Sequence, residues 1–128
     1  MRILIVDDEL TNLMVLGGML KDVAVCKTVS SGQEALEAFD YSLNNGDPYD
    51  LILLDIMMPG MDGHECLSAI RKLEEDYKIK PGNEVRVAIV STLSDTKNVC
   101  NAFFHGNAVC YLTKPINRCE LLKFVSNK

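Results

Sequence analysis

Four short apolar runs of the sequence end in polar side chains whose types suit phosphoryl chemistry. These endings are, in chain order, Asp7-Asp8, Asp55, Ser91-Thr92 and Lys114. If the runs form parallel strands of one open sheet, their carboxyl ends lie along one edge, where such sheets place their ligand sites. We therefore expect the carboxylates, the hydroxyls and the amine to meet at one site.

The carboxylates of this predicted site are too close together to be stable without a cation. Asp7, Asp8 and Asp55 would repel one another unless positive charge lies among them. Mg²⁺ suits such a site, because it takes one or two protein carboxylates together with waters and a phosphate oxygen. One carboxylate then remains to attack phosphorus, while Ser91 and Lys114 neutralise the oxygens of the transferred group. The set predicts a cation-assisted phosphoryl acceptor.

Strand-like and helix-like segments alternate along the chain, which is typical of βαβ units. We predict strands at residues 2–6, 23–28, 50–54, 85–90 and 109–112. Most of them are continuous apolar runs, as expected for a parallel sheet that is covered on both faces. The predicted fold is a doubly wound α/β domain with a five-stranded parallel sheet and five helices, spanning residues 1–128.

Helix starts are marked by residue pairs in which a capping oxygen precedes a glutamate by three positions. These pairs are Ser31 with Glu34, Asp62 with Glu65, and Asn117 with Glu120. Apolar residues at helical spacing from Leu10 to Leu20 predict the first helix, and residues 95–105 supply the remaining one. Residues 76–84 form a connection longer than the usual length of about 4–6 residues, which we interpret as a helix extension followed by a solvated loop.

Composition excludes several classes of function. The chain of 128 residues carries a net charge of −5 and no long basic run, which argues against binding to nucleic acid. No apolar stretch approaches the roughly 20 residues of a membrane span, and no signal peptide precedes the first strand. The five cysteines lack a C-x-x-C pair, so neither a disulfide framework nor a zinc site is expected. These features predict a cytoplasmic protein that does not contact membranes.

The motifs resemble those of the receiver domain of two-component response regulators. The similar segments are residues 5–9 (IVDDE), 53–63 (LLDIMMPGMDG), 90–92 (VST) and 111–115 (YLTKP). The resemblance runs from Arg2 into the last helix. It implies the flavodoxin-like strand order 2-1-3-4-5, which a chemotaxis regulator of this family illustrates.

The resemblance assigns roles at the acidic site. It implies that Asp55 is the phosphoacceptor and also contributes to the metal site. Asp8 is then a direct Mg²⁺ ligand and Asp7 holds the metal through water. The backbone carbonyl of Met57 completes the protein's share of the ligation.

The resemblance also implies a switch and a set of partners. Ser91 and Lys114 hold the phosphoryl oxygens, and Ser91 and Tyr111 change conformation on activation. The phosphoryl donor is a sensor histidine kinase or a histidine phosphotransfer protein, and the recipient of the signal is a downstream effector protein. Both a stand-alone regulator and a receiver from a hybrid kinase fit the sequence, and no output domain is expected after the last helix.

Enzymatic activity is expected only toward the domain itself, as phosphorylation and autodephosphorylation of its own aspartate. Hydrolysis needs an aligned water, and polar side chains near the acceptor can orient one. The family positions that flank the path of this water are occupied by Met57 and Leu93. Neither side chain hydrogen-bonds water well, so we predict slow self-dephosphorylation.

Two other classes of protein use similar residues. A dehalogenase-type phosphatase also combines an aspartate nucleophile with Mg²⁺, but it carries a second acid two residues later, where this chain has Met57. A flavin-binding module would need a hydroxyl- or glycine-rich loop after the first strand, and Asp7-Asp8-Glu9 would repel its phosphate. His64 and His105 have no acid at catalytic or metal-binding spacing, and we interpret both as surface residues.

Overall fold

The computed structural model describes residues 1–55, 60, 63–91, 110–113 and 116–126. Strands and helices alternate from residue 2 to residue 91. The strands are β1 (Arg2–Val6), β2 (Val25–Val29), β3 (Leu51–Asp55), β4 (Arg86–Ser91) and β5 (Cys110–Thr113). The helices are α1 (Leu10–Leu20), α2 (Gly32–Asn44), α3 (Gly63–Asp76) and α4 (Arg118–Ser126). The helix predicted at residues 95–105 lies outside the described residues.

The strands form one five-stranded sheet in the order β2-β1-β3-β4-β5, and all neighbouring strands pair in parallel. This confirms the predicted doubly wound, flavodoxin-like arrangement. The order reverses at β1, from which the chain runs to β2 on one side and later to β3 on the other. Such a reversal point opens a crevice at the carboxyl ends of the strands.

Both faces of the sheet are covered by helices. On one face, alternate strand residues pack with α2 and α3 in a core of Leu4, Val6, Phe39, Ile52, Leu54, Leu67, Ile70, Val87 and Ile89. On the other face, the intervening strand residues pack with α1 and α4 in a core of Ile3, Ile5, Leu13, Leu16, Leu20, Leu51, Leu53, Leu121 and Val125. Strands β1 and β3 are therefore apolar at nearly every position, while the edge strand β2 is mostly exposed. Among the described residues, no helix has the length and apolar character needed to cross a bilayer.

Strand bounds differ from the predicted ones by one or two residues, for reasons visible in the hydrogen bonds. Strand β2 begins at Val25 rather than at residue 23, because the amides of Val23 and Ala24 donate to the Leu20 carbonyl over 3.0 and 2.9 Å and close the end of α1. Strand β4 begins at Arg86 rather than at residue 85, because the Val85 amide donates to a carboxylate of α3. Strand β3 is shifted by one residue, from 50–54 to Leu51–Asp55.

Two of the predicted helix caps are present in the structure. The Ser31 hydroxyl accepts the Glu34 amide over 3.1 Å at the start of α2. The Asn117 side chain accepts the amides of Cys119 and Glu120 over 2.8 and 3.2 Å at the start of α4. The third predicted cap, Asp62, lies outside the described part of the chain.

The connection between α3 and β4 begins with a left-handed residue. Lys78 has φ of 58°, its amide donates to the Glu75 carbonyl, and the next amide, of Ile79, donates to the Glu74 carbonyl. This is the Schellman arrangement that commonly ends helices, with lysine at the position where glycine is usual. Most of the residues that follow up to Glu84 are exposed, which confirms a solvated loop there.

Two charged side chains, one from α3 and one from β4 itself, connect the start of β4 to the helices on the two faces of the sheet. The buried Glu74 of α3 accepts the Val85 amide over 2.7 Å and pairs with Arg71 over 2.6 Å. On the other side, Arg86 donates to the Phe124 carbonyl of α4 over 2.7 Å and lies 4.5 Å from the centre of the Phe124 ring. These contacts lie at the edge of the sheet opposite to the carboxyl ends of the strands.

Candidate metal centre

Neighbouring strands bring the predicted acids to the carboxyl edge of the sheet. Val6 of β1 pairs with Leu54 of β3, so the next residues, Asp7 and Asp55, lie level with each other. Asp7 is 1% exposed and Asp55 4% exposed, whereas Asp8 is exposed. The site thus has two buried carboxylates and one that faces solvent.

The three carboxylates form a compact cluster. Asp7, Asp8 and Asp55 each offer one ligand oxygen, and these oxygens all lie within 4.8 Å of one another. Hard oxygen donors at this separation fit Mg²⁺, which combines a small number of carboxylates with water and phosphate oxygens. Without a cation the arrangement would be costly, because like charges at such distances repel one another. The donor set therefore fits a divalent cation.

Asp7 is anchored at both its backbone and its side chain. Its amide donates to the Val29 carbonyl of β2 over 3.2 Å, which continues the β1–β2 pairing by one residue. Its Oδ1 atom accepts the amide of Glu9 over 2.9 Å. This contact of Glu9 has no signal in the sequence, since it comes from a backbone group that every residue except proline carries.

The strand register places the backbone of Ser91 at the same edge of the sheet as the acids. Asp55 pairs with Val90 of β4, so the backbone of Ser91 lies one residue beyond Asp55 at the same edge. Ser91 pairs with Thr113 of β5, and Lys114 is the next residue along the chain.

Several predicted site residues cannot be placed in full. The side chains of Ser91 and Tyr111 lie outside the described part of the structure, although their backbones belong to β4 and β5. Met57 and Lys114 lie outside it altogether. The roles assigned to these residues stay predictions.

Three of the cysteines have side chains in the described part of the structure, and they differ in burial. Cys26, Cys66 and Cys119 are free thiols. Burial raises the pKa of the Cys66 thiol to about 12, so this side chain stays protonated near neutral pH. Its sulfur lies 3.9 Å from the Gly32 carbonyl in the core between α2 and α3.

Comparison with known proteins identifies the family. The chain matches the response regulator receiver domain over residues 3–126. Hybrid signal transduction histidine kinase L of Dictyostelium discoideum is 35% identical over 127 residues, which cover 97% of this chain and 7% of the kinase. The chain therefore corresponds to a small segment of that relative.

Solved structures show the same fold. The receiver domain of the histidine kinase CKI1 from Arabidopsis thaliana, complexed with Mg²⁺, has a TM-score of 0.82 at 27% identity, covering 97% of this chain and 90% of that one. A co-crystal structure of the Saccharomyces cerevisiae histidine phosphotransfer protein Ypd1 and the receiver domain of Ssk1 gives a TM-score of 0.81 at 27% identity, covering 98% and 86%. The chain belongs to the response regulator receiver domain family, the signalling domains of two-component phosphorelays.

Proposed function

We propose that this chain accepts a phosphoryl group on Asp55 in a Mg²⁺-dependent reaction and thereby controls a partner protein. The observation that carries the proposal is the cluster of Asp7, Asp8 and Asp55, whose ligand oxygens lie within 4.8 Å of one another at the carboxyl edge of the sheet. Asp55 is the proposed nucleophile because it ends the central strand β3 beside the other two acids of the cluster.

The metal site would use groups from the ends of β1 and β3. Asp7, Asp8, Asp55 and the Met57 carbonyl are the proposed protein ligands, with Asp7 acting through water. When bound, Mg²⁺ would neutralise charge on the transferred phosphoryl group and offset the repulsion between the carboxylates. Three acids alone would repel a phosphoryl donor, so we expect transfer to depend on the cation.

The transfer step requires a nucleophile, a leaving group and contacts to the phosphoryl oxygens. A carboxylate oxygen of Asp55 forms the new O–P bond while the P–N bond to the donor histidine breaks and its electron pair returns to the imidazole nitrogen. The Ser91 hydroxyl and the Lys114 ammonium would hold the phosphoryl oxygens, as hydrogen-bond donors do in such reactions. The register of Ser91 beside Asp55 supports this assignment.

The partners are proposed to be a histidine phosphotransfer protein or a sensor histidine kinase on the input side and an effector protein on the output side. The similarity to the receiver domain of Ssk1, which was crystallised with Ypd1, supports the first choice. Free cysteines suit a reducing compartment, which supports a cytoplasmic location.

The proposed output is a change of conformation on the β4–β5 side of the domain. Phosphorylation would draw the Ser91 hydroxyl toward the new phosphoryl group and leave room for Tyr111 to turn inward. A local charge contact that favours one of two conformations is the general form of such switches. The responding face would comprise residues 95–105, 109–112 and 117–125.

Incubation with acetyl phosphate and Mg²⁺, followed by intact-mass measurement, tests the proposal. The parent protein should gain one phosphoryl group, and Asp55→Asn or chelation of Mg²⁺ should prevent the gain. Asp22→Asn is the matched control, since Asp22 is an exposed aspartate distant from the cluster in the sequence, and it should be labelled like the parent. Full labelling of Asp55→Asn would contradict the proposal.

A further inference from the structure

One carboxylate of the acidic cluster is held by the backbone of the residue that precedes helix α1. The Glu9 amide donates to Oδ1 of Asp7 over 2.9 Å, and the carbonyl of the same residue accepts the Leu13 amide over 3.2 Å. Glu9 therefore belongs to the first turn of the helix and bonds directly to the cluster. Helix α1 and the carboxylate of Asp7 are connected through the backbone of this single residue.

The side chain of Glu9 plays no comparable part among the residues that the structure describes. It makes no capping hydrogen bond to α1, and the residue is exposed. The contribution of this residue to the site is thus made by its backbone.

The amide bond restricts how Asp7 can face the other acids. Asp7 is 1% exposed and its backbone is bonded to Val29, and the bond to Glu9 adds a direct restraint on its side chain. A hydrogen bond to an ionised acceptor is roughly twice as strong as one between neutral groups. Outer-shell groups, such as an Asp7 that holds the metal through water, typically contribute about 10–100-fold to metal affinity. An Asp7 without the bond that orients it should lose at least the lower end of this contribution.

We propose that Glu9 is a positioning residue for the cation site, acting through its backbone amide on Asp7 and not through its carboxylate. The inference rests on the proposed function, because it takes the cluster of Asp7, Asp8 and Asp55 as the Mg²⁺ site. It implies that the identity of the side chain at position 9 matters little for metal binding, provided that the residue carries an N–H group.

The test compares two substitutions at position 9. Glu9→Ala keeps the amide and removes the carboxylate, whereas Glu9→Pro removes both. Proline requires a φ of about −65° whereas Glu9 has −98°, and proline also restricts the backbone of the preceding residue, Asp8, so a second analogue that removes only the N–H is needed as well. Titration of each protein with MgCl₂, followed by ¹H–¹⁵N NMR, should give an affinity for Glu9→Ala within about twofold of the parent and an affinity for Glu9→Pro at least about tenfold lower.

A double-mutant cycle separates positioning from general damage. If the amide acts through Asp7, proline and alanine at position 9 should bind Mg²⁺ equally in an Asp7→Ala background. Should Glu9→Pro fail to fold, an ester in place of the Asp8–Glu9 amide removes the same N–H without the proline ring. That analogue can be assembled by ligation at Cys26 and should lose affinity to a similar extent.

The outcomes distinguish this inference from the proposed function. Equal Mg²⁺ affinities of the alanine and proline variants, or of the ester and the parent, would overturn the role of the amide while leaving the metal site intact. A proline effect that persists in the Asp7→Ala background would also overturn it. A parent protein that binds no Mg²⁺ at all would contradict both.

Discussion

Replacement of Glu74 by alanine should destabilise the fold, because it removes the buried carboxylate that joins α3 to the start of β4. The Glu74 side chain is 5% exposed, and it accepts hydrogen bonds from Arg71 over 2.6 Å and from the Val85 amide over 2.7 Å. Alanine would take this acceptor away from both donors. Arg71 would still donate to the Val85 carbonyl over 3.0 Å, so the loss at the guanidinium is partial.

The expected loss in the free energy of unfolding is about 3 kcal/mol. Removal of one partner from a buried ion pair costs roughly 3–5 kcal/mol, because the other charge stays buried. The lower end applies here, since the Arg71 side chain is 17% exposed and water can reach part of it. A typical domain is stable by about 5–15 kcal/mol, so the variant should fold but denature much more easily.

Urea denaturation followed by circular dichroism measures this loss. With a slope of about 1.5 kcal/mol per molar urea, the midpoint should fall by about 2 M. Asp76→Ala is the matched control, because Asp76 pairs with Lys72 at 3.9 Å on the same helix with both side chains more than half exposed. Such a surface pair should contribute less than about 0.5 kcal/mol. A loss below about 1 kcal/mol for Glu74→Ala would refute the reasoning.

Three further predictions concern the thiols, the cation and the lifetime of the phosphorylated state. Burial raises the pKa of the Cys66 thiol from 9.0 to about 12, so iodoacetamide at pH 8 should modify the exposed Cys119 and spare Cys66 in the folded protein. Equal modification of the two cysteines in peptide maps would contradict this. In EDTA, Asp8→Ala should raise the melting temperature because it relieves the repulsion between the carboxylates of the cluster. The same variant should lose the rise in melting temperature that Mg²⁺ produces in the parent, and a variant that Mg²⁺ still stabilises would argue against Asp8 as a ligand. Met57→Asn combined with Leu93→Glu should accelerate loss of phosphate measured by mass, and an unchanged rate would show that these side chains do not limit hydrolysis.

The fold was predictable because its signals are local and repeated. Strand β3 is apolar along its whole length, as a strand covered on both faces must be, and the caps at Ser31 and Asn117 mark their helices without reference to the rest of the chain. The cluster of Asp7 and Asp55 follows from the same logic, since parallel strands that end in acids bring those acids together.

Two contacts that involve backbone amides could not be predicted in this way. The bond between Glu74 and the Val85 amide spans 11 residues of a connection whose geometry depends on the left-handed Lys78, and it sets where β4 begins. The hydrogen bond from the Glu9 amide to Asp7 could not be predicted for another reason, because nearly every residue carries a backbone amide and the residue type therefore gives no signal. The spacing of residue types along the sequence predicts which side chains share a face or an edge. The two contacts described here depend instead on the backbone conformation of the segments that make them.

The central claim is that Asp55 receives the phosphoryl group, and chemical trapping of the product tests it most directly. After reaction with acetyl phosphate and Mg²⁺, borohydride reduces an aspartyl phosphate to homoserine, which peptide mass spectrometry assigns to one position. We predict homoserine at position 55, dependent on Mg²⁺, and none at Asp7 or Asp8. Homoserine at either of those residues, or unmodified Asp55 in protein that has gained a phosphoryl group, would contradict the assignment.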